Sequence, residues 1–168
     1  MKSPKFQIYL ESSRLFSNST KAINLQSSKR IGELKQGKVI YSPYEAIYLL
    51  EKNKAEIIYR KKSISLRKLI KLLKKHLSQT SYAVFKDLTD KGYSVKTGLK
   101  FGTEFRVYKK NVKHALWLVY PTIQKQKINW QEFAAKNRIA HSTAKKLLIA
   151  LVDSQEDITY YEVAWKKI

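Results

Sequence analysis

The pattern of apolar and polar residues in the first half of the chain predicts short strands and two helices. Residues 6–10 alternate as in a strand, residues 12–19 form a polar, Ser-rich stretch, and residues 38–41 follow Gly37 as a second strand. Pro43 suits the first turn of a helix, and the apolar stripe at positions 46, 47, 49 and 50 predicts that this helix ends near Asn53.

The second helix of this half is predicted over residues 63–77 and is strongly amphipathic. One face carries Leu66, Leu69, Ile70, Leu73 and Leu77, and the other carries Arg67, Lys68, Lys71, Lys74 and Lys75. A basic face of this kind is solvated in most proteins, but it also suits contact with an RNA backbone or with a partner protein. Both interpretations stay open at this point.

The second half of the chain predicts the order helix, strand, strand, strand, helix, strand, strand. The first helix covers residues 81–91 and ends at Gly92, which suits a left-handed C-terminal cap. Asn129, with Glu132 three residues later, has the spacing of a capping box, so residues 130–137 should form the second helix. The strands are predicted at residues 93–97, 105–108, 115–120, 147–152 and 158–165.

Several residues of this half refine the picture. Pro121 should end the strand before it, and residues 98–102, which begin and end with glycine, should form a turn. Residues 147–152 are apolar on both faces, as in a strand covered on two sides.

The pattern of apolar and polar residues changes after residues 78–80. We therefore predict an α+β protein with a small mixed domain at residues 1–77 and a second domain at residues 78–168.

The composition is that of a folded protein and excludes several kinds of site. With 168 residues, 43% of them hydrophobic, the chain is neither disordered nor collagen-like. The absence of cysteine excludes thiolate nucleophiles, zinc ribbons and iron–sulfur clusters, and the three histidines lie far apart at positions 76, 114 and 141. The turn at residues 98–102 also lacks the Lys-Ser/Thr pair that a phosphate-binding loop requires. Taken together, these observations lead us to expect no metal site and no cofactor.

The charge of the chain indicates an anionic partner. Its 34 Lys and Arg residues against 13 Asp and Glu residues give a formal net charge of +21. Nucleic acid fits this excess best, although a genome rich in lysine codons would also produce it. No stretch approaches about 18 uninterrupted apolar residues, and the first ten residues lack a signal-peptide core, so we expect a cytoplasmic protein with no membrane partner.

A basic protein without cysteine or a metal would have to catalyse with His, Tyr, Lys or Arg. RNA suits such residues, because its 2′-hydroxyl is a built-in nucleophile. Cleavage then needs only a proton acceptor, a proton donor and a cation that stabilises the charge on phosphorus.

A set of short motifs runs through the second half of the chain. They are Val-Lys-Thr-Gly-Leu-Lys-Phe-Gly at residues 95–102, Phe-Arg-Val-Tyr at residues 105–108, His114, Ala-His-Ser at residues 140–142 with Lys145, residues 149–153, and Tyr-Tyr-Glu-Val at residues 160–163. In order and spacing they closely resemble the catalytic domain of archaeal-type tRNA-splicing endonucleases, over roughly residues 79–168. The resemblance implies a C-terminal nuclease-like domain, in which helices flank a mixed β-sheet, and an N-terminal domain that serves assembly or RNA contact.

The resemblance also implies an activity. Such enzymes excise introns from precursor tRNA at bulge–helix–bulge sites without a metal ion, and they leave 2′,3′-cyclic phosphate and 5′-hydroxyl ends. Two alternatives remain: a non-catalytic scaffolding subunit of such a complex, and an RNA-binding protein without catalytic activity. A scaffolding subunit would be expected to lack at least one catalytic residue.

Carried over to this sequence, the family's catalytic residues correspond to Tyr108, His114 and Lys145. In that scheme Tyr108 helps deprotonate the 2′-hydroxyl, His114 protonates the leaving oxygen, and Lys145 stabilises the transition state. An unperturbed histidine pKa of about 6.5 suits the proton donor, whereas a phenol pKa of about 10 makes tyrosine a poor base unless cations lower it. The candidate cations are Arg106, Lys109 and Lys145, and the alternative role of Tyr108 is only to orient the hydroxyl.

Two more residues match positions that grip a flipped bulge base in the family, Arg138 and Trp165. A guanidinium and an aromatic ring can hold an unstacked base of any sequence. The alternatives are a solvated arginine near a helix end and a core tryptophan.

Lys146, the neighbour of Lys145, is the alternative candidate for the catalytic lysine. His141 is interpreted as structural.

The acidic turn at residues 153–157 is conspicuous in a chain with few acids. Ordinarily it would be only a soluble turn. In the family the corresponding loop inserts into a basic cleft of another subunit, so Asp153, Glu156 and Asp157 are expected to act in assembly. The implied assembly is a tetramer, a dimer of dimers, formed by this chain alone or with a second, non-catalytic chain.

Overall fold

A computed structural model of the chain describes residues 5–166. The chain divides between Ser78 and Gln79 into two compact units, and each unit has its own mixed β-sheet and its own helices. The prediction of an α+β protein is therefore confirmed. None of the helices within residues 5–166 is long and apolar enough to cross a membrane.

The first unit is built on a six-stranded sheet in the order β3-β4-β2-β1-β5-β6. Strands β1 and β5 run parallel, and every other neighbouring pair is antiparallel. The strands are β1 (Phe6–Glu11), β2 (Arg14–Ser17), β3 (Glu33–Lys35), β4 (Lys38–Tyr41), β5 (Ala55–Tyr59) and β6 (Lys62–Ile64).

Within its described residues, the first unit also has three helices: α1 (Thr20–Lys29), α2 (Pro43–Glu51) and α3 (Leu66–Leu73), which a 3-10 turn over Lys74–His76 extends. Pro43 occupies the first turn of α2, as predicted. Ser42 and Glu45 cap each other in a capping box, and the buried Glu45 carboxylate also accepts a hydrogen bond of 2.7 Å from the Gly32 amide. This carboxylate therefore joins α2 to the chain that follows α1.

Several elements of the first unit were not predicted from the sequence, and one helix boundary was wrong. The Ser-rich stretch contains strand β2, and its Ser19 side chain caps α1. The helix predicted from residue 63 begins at Leu66, because Ser65 is its N-cap and the preceding residues form β6. The turn between β5 and β6 has positive φ at Arg60 and Lys61, so it makes a hairpin without the glycine or asparagine that usually marks one.

The second unit is built on a five-stranded sheet in the order β11-β10-β9-β8-β7, in which only β9 and β10 run parallel. Its elements follow the predicted order of helices and strands. They are α4 (Gln79–Asp90), β7 (Ser94–Thr97), a 3-10 turn (Leu99–Phe101), β8 (Phe105–Tyr108), β9 (Trp117–Ile123), α5 (Trp130–Ser142), β10 (Lys146–Val152) and β11 (Ile158–Val163).

Helices α4 and α5 cover opposite faces of this sheet. On the α4 face, Phe85 packs against Phe105 with ring centroids 5.9 Å apart. On the α5 face, Ala140 packs with Leu118 and Leu147 in a fully buried cluster. Strand β10 is thus covered on both faces, as its apolar sequence predicts.

The expected end of β9 at Pro121 was wrong, since the strand continues to Ile123. Its ladder with β8 ends at Val119, and from there β9 pairs only with β10. A proline is tolerated here because its missing N–H leaves no gap in a ladder with β8. Helix α5 also extends five residues beyond the predicted end at residue 137, to Ser142, so that Arg138 and His141 are helical.

Candidate active site

Three strand ends of the second unit meet at one edge of its sheet. Strand β8 ends at Tyr108, β9 begins shortly after His114, and β10 begins directly after Lys145. Because β8 is antiparallel to β9 and β9 is parallel to β10, these ends lie side by side. The Leu116 amide donates to the Val107 carbonyl (2.8 Å), and the Leu116 carbonyl accepts from the Lys146 amide (3.0 Å). We call this edge the site edge.

Tyr108 lies on the α5 face of the sheet. Phe105 and Val107 are buried and alternate with the half-buried Arg106 and Tyr108. Arg106 pairs in register with Leu118, which belongs to the cluster under α5. The Arg106 guanidinium carbon lies 5.9 Å from the centroid of the Tyr108 ring, so one of the three expected cations does lie beside the phenol.

His114 lies in the exposed connection between β8 and β9. Asn111 has φ 62° and turns the chain, and the Val112 amide donates to the Lys109 carbonyl. The next residue, Ala115, is buried and fixes the end of the connection against the sheet. His114 itself is exposed, so its imidazole is accessible to a bound substrate.

Lys145 is held by the turn that follows α5. Ala144 has φ 53°, a left-handed conformation that a non-glycine residue rarely adopts, and the Lys145 amide donates to the Ala140 carbonyl (2.8 Å). The ammonium of Lys145 donates to the Thr143 carbonyl (2.7 Å) and lies 5.2 Å from the centroid of the Phe101 ring. Phe101 packs against the α5 cluster, so Lys145 is on the same face as Tyr108.

Lys146 belongs to the other face of the sheet. Its ammonium donates to the Glu162 carboxylate (2.5 Å), which also accepts a hydrogen bond from the Trp117 indole (2.7 Å). Trp117 pairs in register with Val107 on the α4 face. These two hydrogen bonds, first that from Lys146, lower the pKa of Glu162. The alternation of the strand therefore separates the two lysines, and Lys145 is the one on the Tyr108 face.

Arg138 and Trp165 lie beside this end of the sheet. Strand β11 is antiparallel to β10, so the chain leaves β11 at the site edge and Trp165 follows two residues later. Trp165 is 52% exposed, and its ring lies 4.6 Å from that of His141, centroid to centroid. Arg138 is exposed on α5, three residues before His141 and therefore on the same side of the helix.

The contact of Trp165 with His141 was missed by sequence reasoning, which interpreted His141 as structural. His141 is exposed, and its ring contacts a residue expected to bind RNA. No local sequence pattern predicts this contact, because it depends on the order of the strands in the sheet.

The acidic turn lies at the opposite edge of the sheet, between β10 and β11. Asp153 accepts hydrogen bonds from the amides of Gln155 (2.8 Å) and Asp157 (2.9 Å), and so it shapes the turn. Glu156 accepts a hydrogen bond from the Gln79 side chain (2.9 Å). Glu156 and Asp157 are both exposed.

The chemistry available at the site edge is that of a phenol, an imidazole and several cations. Within residues 5–166, no three His, Asp or Glu side chains come together in a group that could hold a metal ion. The positive charges in and beside the connection to β9 suit a polyanion. They are Arg106, Lys109, Lys110, Lys113 and Lys145.

Comparison with known proteins gives matches in both units. Residues 6–70 match the family model described as tRNA intron endonuclease, N-terminal domain, and residues 78–160 match that described as tRNA intron endonuclease, catalytic C-terminal domain. The tRNA-splicing endonuclease of Thermococcus kodakarensis is 39% identical over 163 residues, which cover 95% of this chain and 97% of the relative. That of Pyrococcus horikoshii is 38% identical over 170 residues, 99% of each chain. That of Nanoarchaeum equitans is 40% identical over 138 residues, 73% of this chain and 86% of the relative.

Proposed function

The chain belongs to the tRNA intron endonuclease family, and from this premise we propose that it cuts precursor tRNA at both ends of an intron. The proposed sites are bulge–helix–bulge structures, the proposed products carry 2′,3′-cyclic phosphate and 5′-hydroxyl ends, and the reaction needs no metal ion. We place this activity in the cytoplasm.

One observation carries the proposal: a phenol, an imidazole and an ammonium group come from three strand ends at one edge of a sheet. The backbone hydrogen bonds through Leu116 link these ends, and Tyr108 and Lys145 share the face covered by α5. Tyr108 belongs to the sheet, and Lys145 and His114 lie one and three residues before β10 and β9, so the paired strands limit the movement of all three groups. Transesterification by a 2′-hydroxyl needs an acceptor, a donor and a cation, and this edge has a candidate for each.

In the proposed reaction the 2′-oxygen attacks the adjacent phosphorus, and the bond to the 5′-oxygen of the next nucleotide breaks. Tyr108, as its phenolate, takes the proton of the 2′-hydroxyl; in the alternative role it only orients that hydroxyl, and the proton passes to a water molecule. His114, in its protonated form, gives its proton to the leaving 5′-oxygen, which becomes a hydroxyl. Lys145 stabilises the additional negative charge that the phosphoryl oxygens carry in the transition state.

The substrate is held, in this proposal, by Arg138 and Trp165. Trp165 offers an exposed ring beside α5, and Arg138 is an exposed residue one turn before His141 on the same side of that helix. Both groups can stack on an unpaired base regardless of its identity. We propose that they grip a base flipped out of a bulge.

We further propose that the active enzyme is a tetramer, a dimer of dimers, formed by this chain alone or with a second, non-catalytic chain. The exposed acids of the turn at residues 153–157 are the proposed contact, because a chain of net charge +21 offers many basic partners for them.

The experiment measures single-turnover cleavage of a precursor tRNA by matched pairs of variants. His114→Ala should lower the rate by about 100-fold to 10,000-fold, the usual contribution of a positioned acid. Lys145→Met should lower it by about 100-fold to 1,000-fold, as for the loss of a group that stabilises transition-state charge. The matched controls are His76→Ala, at an exposed histidine of the first unit, and Lys146→Met, on the other face of the sheet.

Both controls should cleave at the wild-type rate. A wild-type protein that binds precursor tRNA without cleaving it would instead be a scaffolding or RNA-binding subunit. Equal rates for His114→Ala and His76→Ala would remove His114 from the mechanism.

A further inference from the structure

The last part of the first unit has a run of basic residues without any acid. Residues 57–78 contain eight lysines and arginines and no aspartate or glutamate. All eight side chains are exposed. They are Arg60, Lys61, Lys62, Arg67, Lys68, Lys71, Lys74 and Lys75.

Three of these cations form a row along α3 and the 3-10 turn that follows it. The buried residues of α3 are Leu69 and Leu73, which hold it against the unit. Arg67, Lys71 and Lys74 follow one another at spacings of four and three residues, so they form a row on the opposite side. The row is about 10 Å long at 1.5 Å per residue, which allows contact with more than one phosphate of an RNA strand. Lys68 and Lys75 flank it.

The β5–β6 hairpin adds three more cations next to α3 in the chain. Its turn is formed by Arg60 and Lys61, both with positive φ, and Lys62 begins β6. Because Tyr59 and Lys62 pair in register, the strands fix this turn. Only Ser63, Ile64 and Ser65 separate the hairpin cations from α3.

The charge and the shape of α3 favour RNA over a membrane. Binding at a membrane surface needs an exposed apolar face beside the basic one. The exposed apolar residues of α3, Ile70 and Leu72, are 42% and 43% exposed, but they lie on two different sides of the helix. A continuous set of cations without acids instead matches the phosphate backbone, which is recognised by charge.

We propose that this basic face of the first unit, formed by α3 and the β5–β6 hairpin, binds the sugar–phosphate backbone of precursor tRNA. This inference rests on the proposed function for the identity of the RNA. It adds a binding surface on the unit that carries none of the residues assigned to cleavage. The contact supplies affinity without reading base sequence, so it serves substrates with different introns equally.

The test removes the row and measures affinity for precursor tRNA with 2′-O-methyl groups at both cleavage sites, so that the RNA stays intact. In the full-length protein, Arg67, Lys71 and Lys74 are changed together to Gln. We expect the Kd to rise by about 10-fold or more at moderate salt. The slope of log K against log salt should fall by about 2 to 3, since each phosphate contact releases about 0.7 to 0.9 counterions.

Two control variants separate charge position from total charge. Changing Lys29, Lys35 and Lys38 to Gln removes the same charge from other exposed positions of the same unit, and it should change Kd and slope much less. The variant R67K/K71R/K74R keeps the charge and should keep the wild-type Kd. Circular dichroism melts check that all variants are folded.

The outcomes distinguish this inference from the proposed function. A row variant with the Kd and slope of the Lys29/Lys35/Lys38 variant would overturn the basic face as an RNA contact, while cleavage of unmodified precursor tRNA by the wild type would leave the proposed function intact. Loss of binding to anionic vesicles, with tRNA affinity unchanged, would assign the face to a membrane instead. A wild type that neither binds nor cleaves precursor tRNA would overturn both proposals.

Discussion

Single residues of the candidate site have partners that define their roles. His141 and Trp165 pack ring to ring, and Arg138 is on the same side of α5, three residues earlier. An exposed tryptophan that rests on a histidine is held in place while one of its faces stays available. His141 is therefore a candidate for positioning Trp165.

The pair Arg138 and Trp165 should act as one grip on a base. If each residue stacks on one face of the same base, either substitution to Ala removes most of what both contribute. The double-mutant cycle should then depart from additivity by about 0.5 to 3 kcal/mol in binding free energy. Binding of precursor tRNA by the single and double variants measures this.

His141→Ala is the informative companion variant in that cycle. It should reproduce a weaker form of the Trp165→Ala defect and have little effect on thermal stability, because His141 is exposed. Strict additivity of Arg138→Ala and Trp165→Ala, or a loss of stability without a binding defect, would leave both residues with structural roles.

At the scale of elements, a partly buried hydrogen bond joins the first helix of the second unit to its last strand. The Tyr160 hydroxyl on β11 donates to the Asp87 carboxylate on α4 (2.7 Å), which also accepts from Lys91 (2.6 Å). Burial, and after it the hydrogen bond to Asp87, raises the pKa of the Tyr160 phenol. A raised pKa means that the contribution to stability is complete below the unfolded pKa of about 10 and is lost as the pH rises above it.

Tyr160→Phe should therefore destabilise the protein by about 1 to 2 kcal/mol at neutral pH, through loss of the hydrogen bond. The difference in free energy of unfolding between wild type and variant should stay constant up to about pH 9 and shrink above pH 10. Denaturant unfolding from pH 7 to 11 measures it. Taking the difference removes the effect of Tyr41, whose pKa burial also raises. A difference that grows with pH would contradict the assignment.

The elements of the second unit could be predicted in type and order because each carries a local signal. Gly92 has φ 88° after α4, and Asn129 caps α5 through hydrogen bonds from the amides of Gln131 and Glu132. The errors came from tertiary structure. Pro121 remains in β9 because β10 pairs with it, and β6 exists because β5 provides a partner. The site edge follows from strand order, which no local pattern contains.

At the scale of the whole molecule, the acidic turn is the proposed contact between subunits. Asp153 shapes the turn through its own hydrogen bonds, so replacing it would change the conformation of the turn as well as any contact between subunits. Glu156 and Asp157 are exposed, and replacing them costs little monomer stability. These two residues therefore test assembly most cleanly.

The double variant E156Q/D157N should shift the complex from tetramers towards dimers, with an unchanged melting curve. The control is E11Q/E33Q, which removes two acids from exposed positions of the first unit and should leave the mass of the complex unchanged. Light scattering after gel filtration gives the masses. A tetramer that persists in E156Q/D157N at moderate salt would reject the turn as an assembly contact.

The most direct measurement of the central claim is cleavage of an end-labelled precursor tRNA in EDTA, compared with the same RNA carrying a 2′-deoxy nucleotide 5′ to each scissile phosphate. We predict cleavage of the unmodified RNA to 2′,3′-cyclic phosphate and 5′-hydroxyl ends, and no cleavage at the 2′-deoxy positions, because the nucleophile is absent there. Cleavage at the 2′-deoxy positions, or products with 3′-hydroxyl and 5′-phosphate ends, would contradict it.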